Sequence, residues 1–198
     1  MRPRRTPHAT VTMVRGDLEG LPRHAVPDGY AIRPYARGDE LAWVRIQSAA
    51  DAYNVIVADL FRAQFGDDTA ELGRRLFMLE APTAAMDGGG PAIGTAAAWF
   101  GGARRGPEVG RVHWVAIHPA HQGRGLAKPL LSRVCLALRD LGHERAFLTT
   151  STARVPAIAL YLSFGFVPEI GGPADAAAWQ ALHRSAPGLA LRLDGTTA

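Results

Sequence analysis

One segment of the chain concentrates residues with chemical potential: Ile117-His118-Pro119-Ala120-His121-Gln122-Gly123-Arg124-Gly125-Leu126-Ala127-Lys128. An apolar run stops at a proline, a glycine pair follows, and an amphipathic helical pattern begins at once. Leu126, Leu130, Leu131, Val134, Leu138 and Leu141 recur at spacings of three and four, which gives that helix one apolar face. A helix start offers about four unpaired N–H groups and a partial positive charge, a combination suited to a phosphate or pyrophosphate. Gly123 and Gly125 remove the Cβ atoms that would hold those oxygens off the backbone, and Arg124 and Lys128 add positive charge beside it. Two other phosphate loops do not fit. A dinucleotide G-x-G-x-x-G needs glycine or alanine where Lys128 stands, and a P-loop needs a longer glycine spacing closed by Lys and then Ser or Thr. The plain alternative is a strand-to-helix turn whose glycines serve packing. Pro129 is tolerated only in a first helical turn, so the helix is expected to begin just after Gly125.

The surrounding pattern says which elements position this loop. Arg111 to Ile117 reads as the most clearly marked strand, with a long helix running from the loop to about Leu141. Upstream, Tyr30 to Pro34 alternates like a strand, Asp39 and Glu40 open a helix, and residues 52–65 carry a second helical pattern. Arg75 to Glu80 and Ile93 to Phe100 form a candidate hairpin around the glycine-rich 87–91. Downstream come a strand over Ala146 to Thr150, a short helix over 155–164, a strand over Phe166 to Ile170, a helix over 175–184 and a last strand over Leu189 to Leu193. Residues 1–29, with one β-like run from Thr10 to Arg15 and then a turn-rich stretch, read as an N-terminal arm. The remainder is one domain, 30–198.

Composition narrows the function classes. The 198 residues are 47% hydrophobic and carry a formal net charge of +4, with Cys135 as the one cysteine. A chain this long buries a core without disulfides or metal, and one cysteine forms no internal disulfide, so a cytoplasmic location is expected. No apolar run approaches the ~18 residues of a membrane span. The basic excess is nearly all arginine, scattered along the chain, with no nucleic-acid-binding spacing, so neither nucleic acid nor membrane is an expected partner. No metal-ligand set is recognisable.

A second motif lies downstream: Ala157-Ile158-Ala159-Leu160-Tyr161-Leu162-Ser163-Phe164-Gly165-Phe166. Together the two resemble the signatures of the GCN5-related N-acetyltransferase (GNAT) superfamily. Its V/I-x-P followed by Q/R-x-x-G-x-G/A is matched by Ile117-His118-Pro119 and by Gln122, Gly125 and Ala127; its A-x-x-L-Y-x-x-x-G-F is matched from Ala157 to Phe166. Tyr30 to Pro34 and Ile93-Gly94-Thr95 are also typical, so the resemblance covers about residues 29–194. It implies an α/β (α+β) fold, with a single mixed, mostly antiparallel sheet of six to seven strands flanked by helices. It also implies acetyl-CoA as co-substrate, its pyrophosphate on Gln122, Gly123, Arg124, Gly125, Leu126, Ala127 and Lys128. The pantetheine chain would lie in a splay between the strands over 111–117 and 146–150, on the backbone of Val115, Ile117 and Thr150. The family's usual asparagine before the second motif is Arg154 here, which would stand at that contact.

The resemblance implies transfer to a primary amine by direct attack in a ternary complex, which needs a neutral amine and a proton for the leaving thiolate. Tyr161 matches the family's general acid. Strand alternation would put Arg111, His113, Val115 and Ile117 on one face. The family's frequent glutamate base falls on Arg111. His113 matches a histidine kept by arylalkylamine acetyltransferases and has a suitable unperturbed pKa of ~6.5; Glu108 and water are the other candidates. His118 and His121 flank the turn, Cys135 lies on the apolar helix side, and Trp99 and Trp114 read as core. Asp51, Tyr53, Asn54 and Asp59 lie where the family binds acceptors. The acceptor, a small-molecule, peptide or protein amine, is not named by any pattern, and a homodimer is an option the family offers. Two other classes stay open: a non-catalytic acyl-CoA sensor on the same fold, and an arginine-rich nucleic-acid-associated protein.

Overall fold

The computed structural model describes residues 8–82 and 91–191. Its strands are β1 (Thr10–Arg15), β2 (Ala31–Pro34), β3 (Leu76–Glu80), β4 (Ala92–Phe100), β5 (Val109–Ile117), β6 (Arg145–Ser151) and β7 (Val167–Pro168). They form one seven-stranded sheet in the order β2-β3-β4-β5-β6-β1-β7. All neighbours are antiparallel except β5 and β6. The helices are α1 (Asp39–Ala50), α2 (Ala58–Phe65), α3 (Thr69–Arg75), α4 (Ala127–Asp140), α5 (Val155–Ser163) and α6 (Pro173–Ser185). This is the mixed, mostly antiparallel sheet with flanking helices that the motifs imply.

Both faces of the sheet are covered, which explains why β3 and nearly all of β4 are buried on both sides, with mostly apolar residues, rather than alternating. On one face Leu126, which caps α4, and Leu130, Leu131, Val134 and Leu138 of α4 pack against Ala96, Ala98 and Val112. On the other, Trp43 of α1 and Phe61 and Phe65 of α2 pack over Ala97. Alanines in β4 let a helix approach closely from each side.

Several elements differ from the sequence expectations. Residues 10–15 are not a separate arm: β1 inserts between β6 and β7, with Val11 and Met13 buried, and Leu18 and Leu21 follow into the same core. The second helical stretch begins only at Ala58, not at residue 52. A polar break read after it contains α3, whose Asp68 side chain accepts from the backbone N–H groups of Ala70 and Glu71. Leu189 to Leu191 are not strand, and the rest of that expected strand lies outside the described residues, as does most of the 87–91 turn.

Candidate active site

The site starts from an irregularity in β5. Ala97 faces His113 and Thr95 faces Ala116, so three steps along β5 oppose two along β4. The extra residue makes a bulge at Trp114, the one described non-glycine residue with positive φ, at 49°. A non-glycine residue there costs on the order of 1 kcal/mol and needs support. Gln47 of α1 supplies it by donating from Nε2 to the Trp114 carbonyl at 2.8 Å. The Trp114 indole N–H donates to Gln64 Oε1 at 3.0 Å.

The bulge corrects the expected alternation. His113 and Ala116 share a face, His113 against Phe65 of α2, whereas Val115 and Ile117 turn to the α4 side. Near the same level β5 and β6 part: their parallel ladder pairs Val109, Gly110 and Arg111 with Arg145, Ala146 and Phe147, and goes no further. The edge of β5 beyond Arg111 is therefore free of strand partners on that side.

A cleft follows this gap in two joined chambers of about 510 and 380 Å³. The larger is lined by Val115, Ile117, Gln122, Gly123, Gly125, Leu126, Ala127, Lys128, Arg154 and Tyr161, and the smaller by Arg111, His113, Thr150 and again Val115, Arg154 and Tyr161. Nearly all of the expected residues thus converge. Arg124 does not line it: its guanidinium turns to the Tyr30 hydroxyl at 3.2 Å and the Ala120 carbonyl at 3.4 Å. Glu108 stands at the opposite end of β5, paired with Arg145 at 2.9 Å, and lines neither chamber.

The loop is shaped by its glycines. Gly123 and Gly125 both have φ of 76°, and a Cβ on either would project into open space. Between Gly123 and Ala127 no backbone N–H donates to another described residue, so a run of donors is left without a partner among them at the start of α4. The Gln122 side chain folds back to donate to the Ile117 carbonyl at 2.8 Å, which pins the loop to the strand end and occupies that carbonyl. His118 Nδ1 accepts from the Ala120 N–H, and so it caps the 3-10 turn over Pro119–His121. These residues fit the pyrophosphate of acetyl-CoA: free donors, room at the glycines and the Lys128 ammonium beside them.

Tyr161 sits between the chambers, buried against Phe166, and burial pushes its phenol up to about 12. It therefore remains a proton donor at neutral pH. His113 behaves differently from the expectation. Burial first, and the Arg111 charge second, push its imidazole down to about 3. Its Nε2 lies 3.1 Å from Gln64 Oε1, an acceptor only, so Nε2 carries the proton in that bond. Arg154 forms an ion pair with Asp51 at 2.8 Å and lies over the Tyr53 ring. Burial works against the Asp51 charge, but bonds from Asn54 and Tyr53 and the Arg154 charge outweigh it and hold its carboxyl below the usual range. The Asp51 charge is thus met within the chain by Arg154. Cys135 is buried in the core, its thiol pushed up to about 12.

Sequence reasoning missed Gln47 and Gln64. Gln47 left a signal, since it is a polar residue beside Trp43 and Ile46 on the buried face of α1. Gln64 left none, because its partners meet it only through the bulge.

The pattern of the Acetyltransferase (GNAT) family matches residues 43–166. A protein of Pseudarthrobacter chlorophenolicus named mycothiol acetyltransferase is 35% identical over 150 residues, covering 74% of this chain and 45% of that protein. Its namesake from a Nocardioides species is 32% identical over 172 residues, covering 78% and 55%. The chain spans about half the length of the curated relatives it matches. Among solved structures, a GCN5-related N-acetyltransferase from Sphaerobacter thermophilus superposes with a TM-score of 0.65 at 18% identity, covering 81% of this chain and 48% of that one. The ribosomal-protein-S18-alanine N-acetyltransferase of Escherichia coli gives 0.53 at 22% identity, covering 69% and 76%. At these identities the structural likeness concerns the fold.

Proposed function

This chain belongs to the GNAT acetyltransferase family, and from that premise we propose that it moves an acetyl group from acetyl-CoA to a primary amine by direct attack in a ternary complex. Bound acetyl-CoA supplies a thioester carbon open to an amine. The observation that supports the proposal is the loop from Gly123 to Ala127, whose N–H groups have no partner among the described residues and which lines, together with Tyr161, the cleft at the β5–β6 gap.

Each residue then has a task that its surroundings support. The loop N–H groups and Lys128 hold the pyrophosphate. The backbone of Val115 and Thr150, on either side of the gap, holds an extended chain as a third strand would, and the Val115 N–H polarises the acyl oxygen. The Tyr161 hydroxyl, kept protonated by burial, delivers its proton to the departing sulfur. Arg154, fixed by Asp51, stands where the family's asparagine would. His113 is a poor proton acceptor at about 3, so water in the cleft takes the amine proton. With Gln64, His113 instead steadies Trp114 and the bulge.

Calorimetric titration with CoA, followed by thiol release from acetyl-CoA against simple amines, polyamines, amino acids, peptides and mycothiol-related amines, tests the proposal. CoA binding with amine-dependent release is expected. Binding with no release across the panel would reduce the chain to an acyl-CoA binder.

A further inference from the structure

The smaller chamber contains an arginine with no ion-pair partner among the described residues. Arg111 lines it, its Nε is buried without a hydrogen bond, and no carboxylate pairs with it among the described residues. Other partly or fully buried arginines do have one: Arg33 has Asp39 and Glu80, Arg75 has Glu71, and Arg154 has Asp51. A guanidinium stays charged in a protein, and a buried one without a partner is destabilising unless something else answers it. The Phe147 ring 5.7 Å away takes its face but uses none of its N–H donors.

We propose, building on the acetyl-transfer reading above, that this chamber binds an acceptor amine that also carries a carboxylate, and that Arg111 is the group that holds the carboxylate. No aspartate or glutamate lines the chamber among the described residues, and its second cation, Arg154, is already paired. Thr10, Thr149 and Ser151 add neutral hydroxyls to the lining, able to complete an oxyanion's hydrogen bonds. A guanidinium meets a carboxylate with two parallel N–H···O bonds, so one residue fixes both charge and orientation. A polyamine would instead add positive charge beside Arg111, while the Asp51 carboxylate of the adjoining chamber is already paired with Arg154. Arg111 stands one turn of the strand pleat from His113, on the far side of Trp114 from the glycine loop, so the carboxylate would enter from the end opposite the pyrophosphate.

The test compares glycine, β-alanine and 4-aminobutyrate with their carboxamides, a series that varies the distance from amine to carboxylate. For at least one pair the acid should exceed the amide at least tenfold in kcat/KM, an effect of the size a charge-assisted pair supplies. R111Q should bring that ratio to about one, and R111K should recover part of it. Independently of turnover, the preferred acid should raise the unfolding temperature of the CoA-saturated wild type and not that of R111Q. Should R111Q fail to fold, R111K carries the comparison. Acids and amides used equally by the wild type, release with polyamines only, or a ratio unchanged in R111Q would each overturn the inference while leaving acetyl transfer intact. No CoA binding at all would sink the proposed function instead.

Discussion

Burial of the His113 imidazole makes a prediction about stability and pH that turnover measurements do not require. The folded imidazole is held near 3, below the ~6.5 of an unfolded histidine, so below pH 6.5 the unfolded chain binds a proton that the folded one refuses. Stability from this residue is fully present above pH 6.5 and is lost as pH falls from there toward 3. At pH 5 the folded ring is still unprotonated, so the loss depends on the unfolded ring alone and comes to about 2 kcal/mol relative to pH 7.5. For a chain of this size that is a fall of about 4–8 °C in unfolding temperature. His113→Gln keeps a polar group beside Gln64 without a titrating ring. Thermal or urea unfolding of both proteins at pH 7.5 and pH 5 isolates the residue, because other titrating groups cancel between them. The wild type should lose about 2 kcal/mol more than the variant over that interval. Parallel pH slopes would refute the buried neutral histidine, and would return His113 to candidacy as a base titrating near pH 6–7.

Further outcomes follow from neighbouring parts of the site. Tyr161→Phe should lower kcat at least tenfold while CoA affinity, read by calorimetry, changes little; equal loss of both would remove its role as acid. Gln47→Leu leaves the Trp114 carbonyl without its donor and should cost about 1–3 kcal/mol in urea unfolding, with a wild-type midpoint counting against the support of the bulge. The Cys135 thiol, fully buried and pushed up to about 12, should react with a disulfide reagent only after unfolding. Fast labelling of the native protein would contradict its place in the core.

Much of the fold was legible because local patterns and burial agree. The period of α4 and the apolar run of β5 each follow from side-chain spacing, and the two motifs bracket the cleft they line. The N-terminal strand was visible as a β-like run, but nothing local to Thr10–Arg15 says that its partner is β6. α3 escaped notice because its start depends on one capping aspartate amid polar residues. The site was less legible at the bulge. Strict alternation carries every residue after Trp114 to the wrong face, and no residue type near it announces an insertion. Charge pairing was equally hidden: Asp51 and Arg154 are some hundred positions apart, so nothing local to Asp51 shows that its charge is already met. Arg111 showed the converse, an arginine among many that only the packing reveals as unanswered.

The place of β1 also bears on how the chain comes to fold. Its partners on β6 lie about 130 to 140 residues later, so the sheet cannot close until β6 exists. During synthesis Thr10–Arg15 has no strand partner until Arg145–Ser151 has been made. High contact order of this kind slows folding and leaves an open strand edge for its duration. The gap between β5 and β6 lies beside that late pairing, so the cleft takes its final shape only when β1 has joined β6.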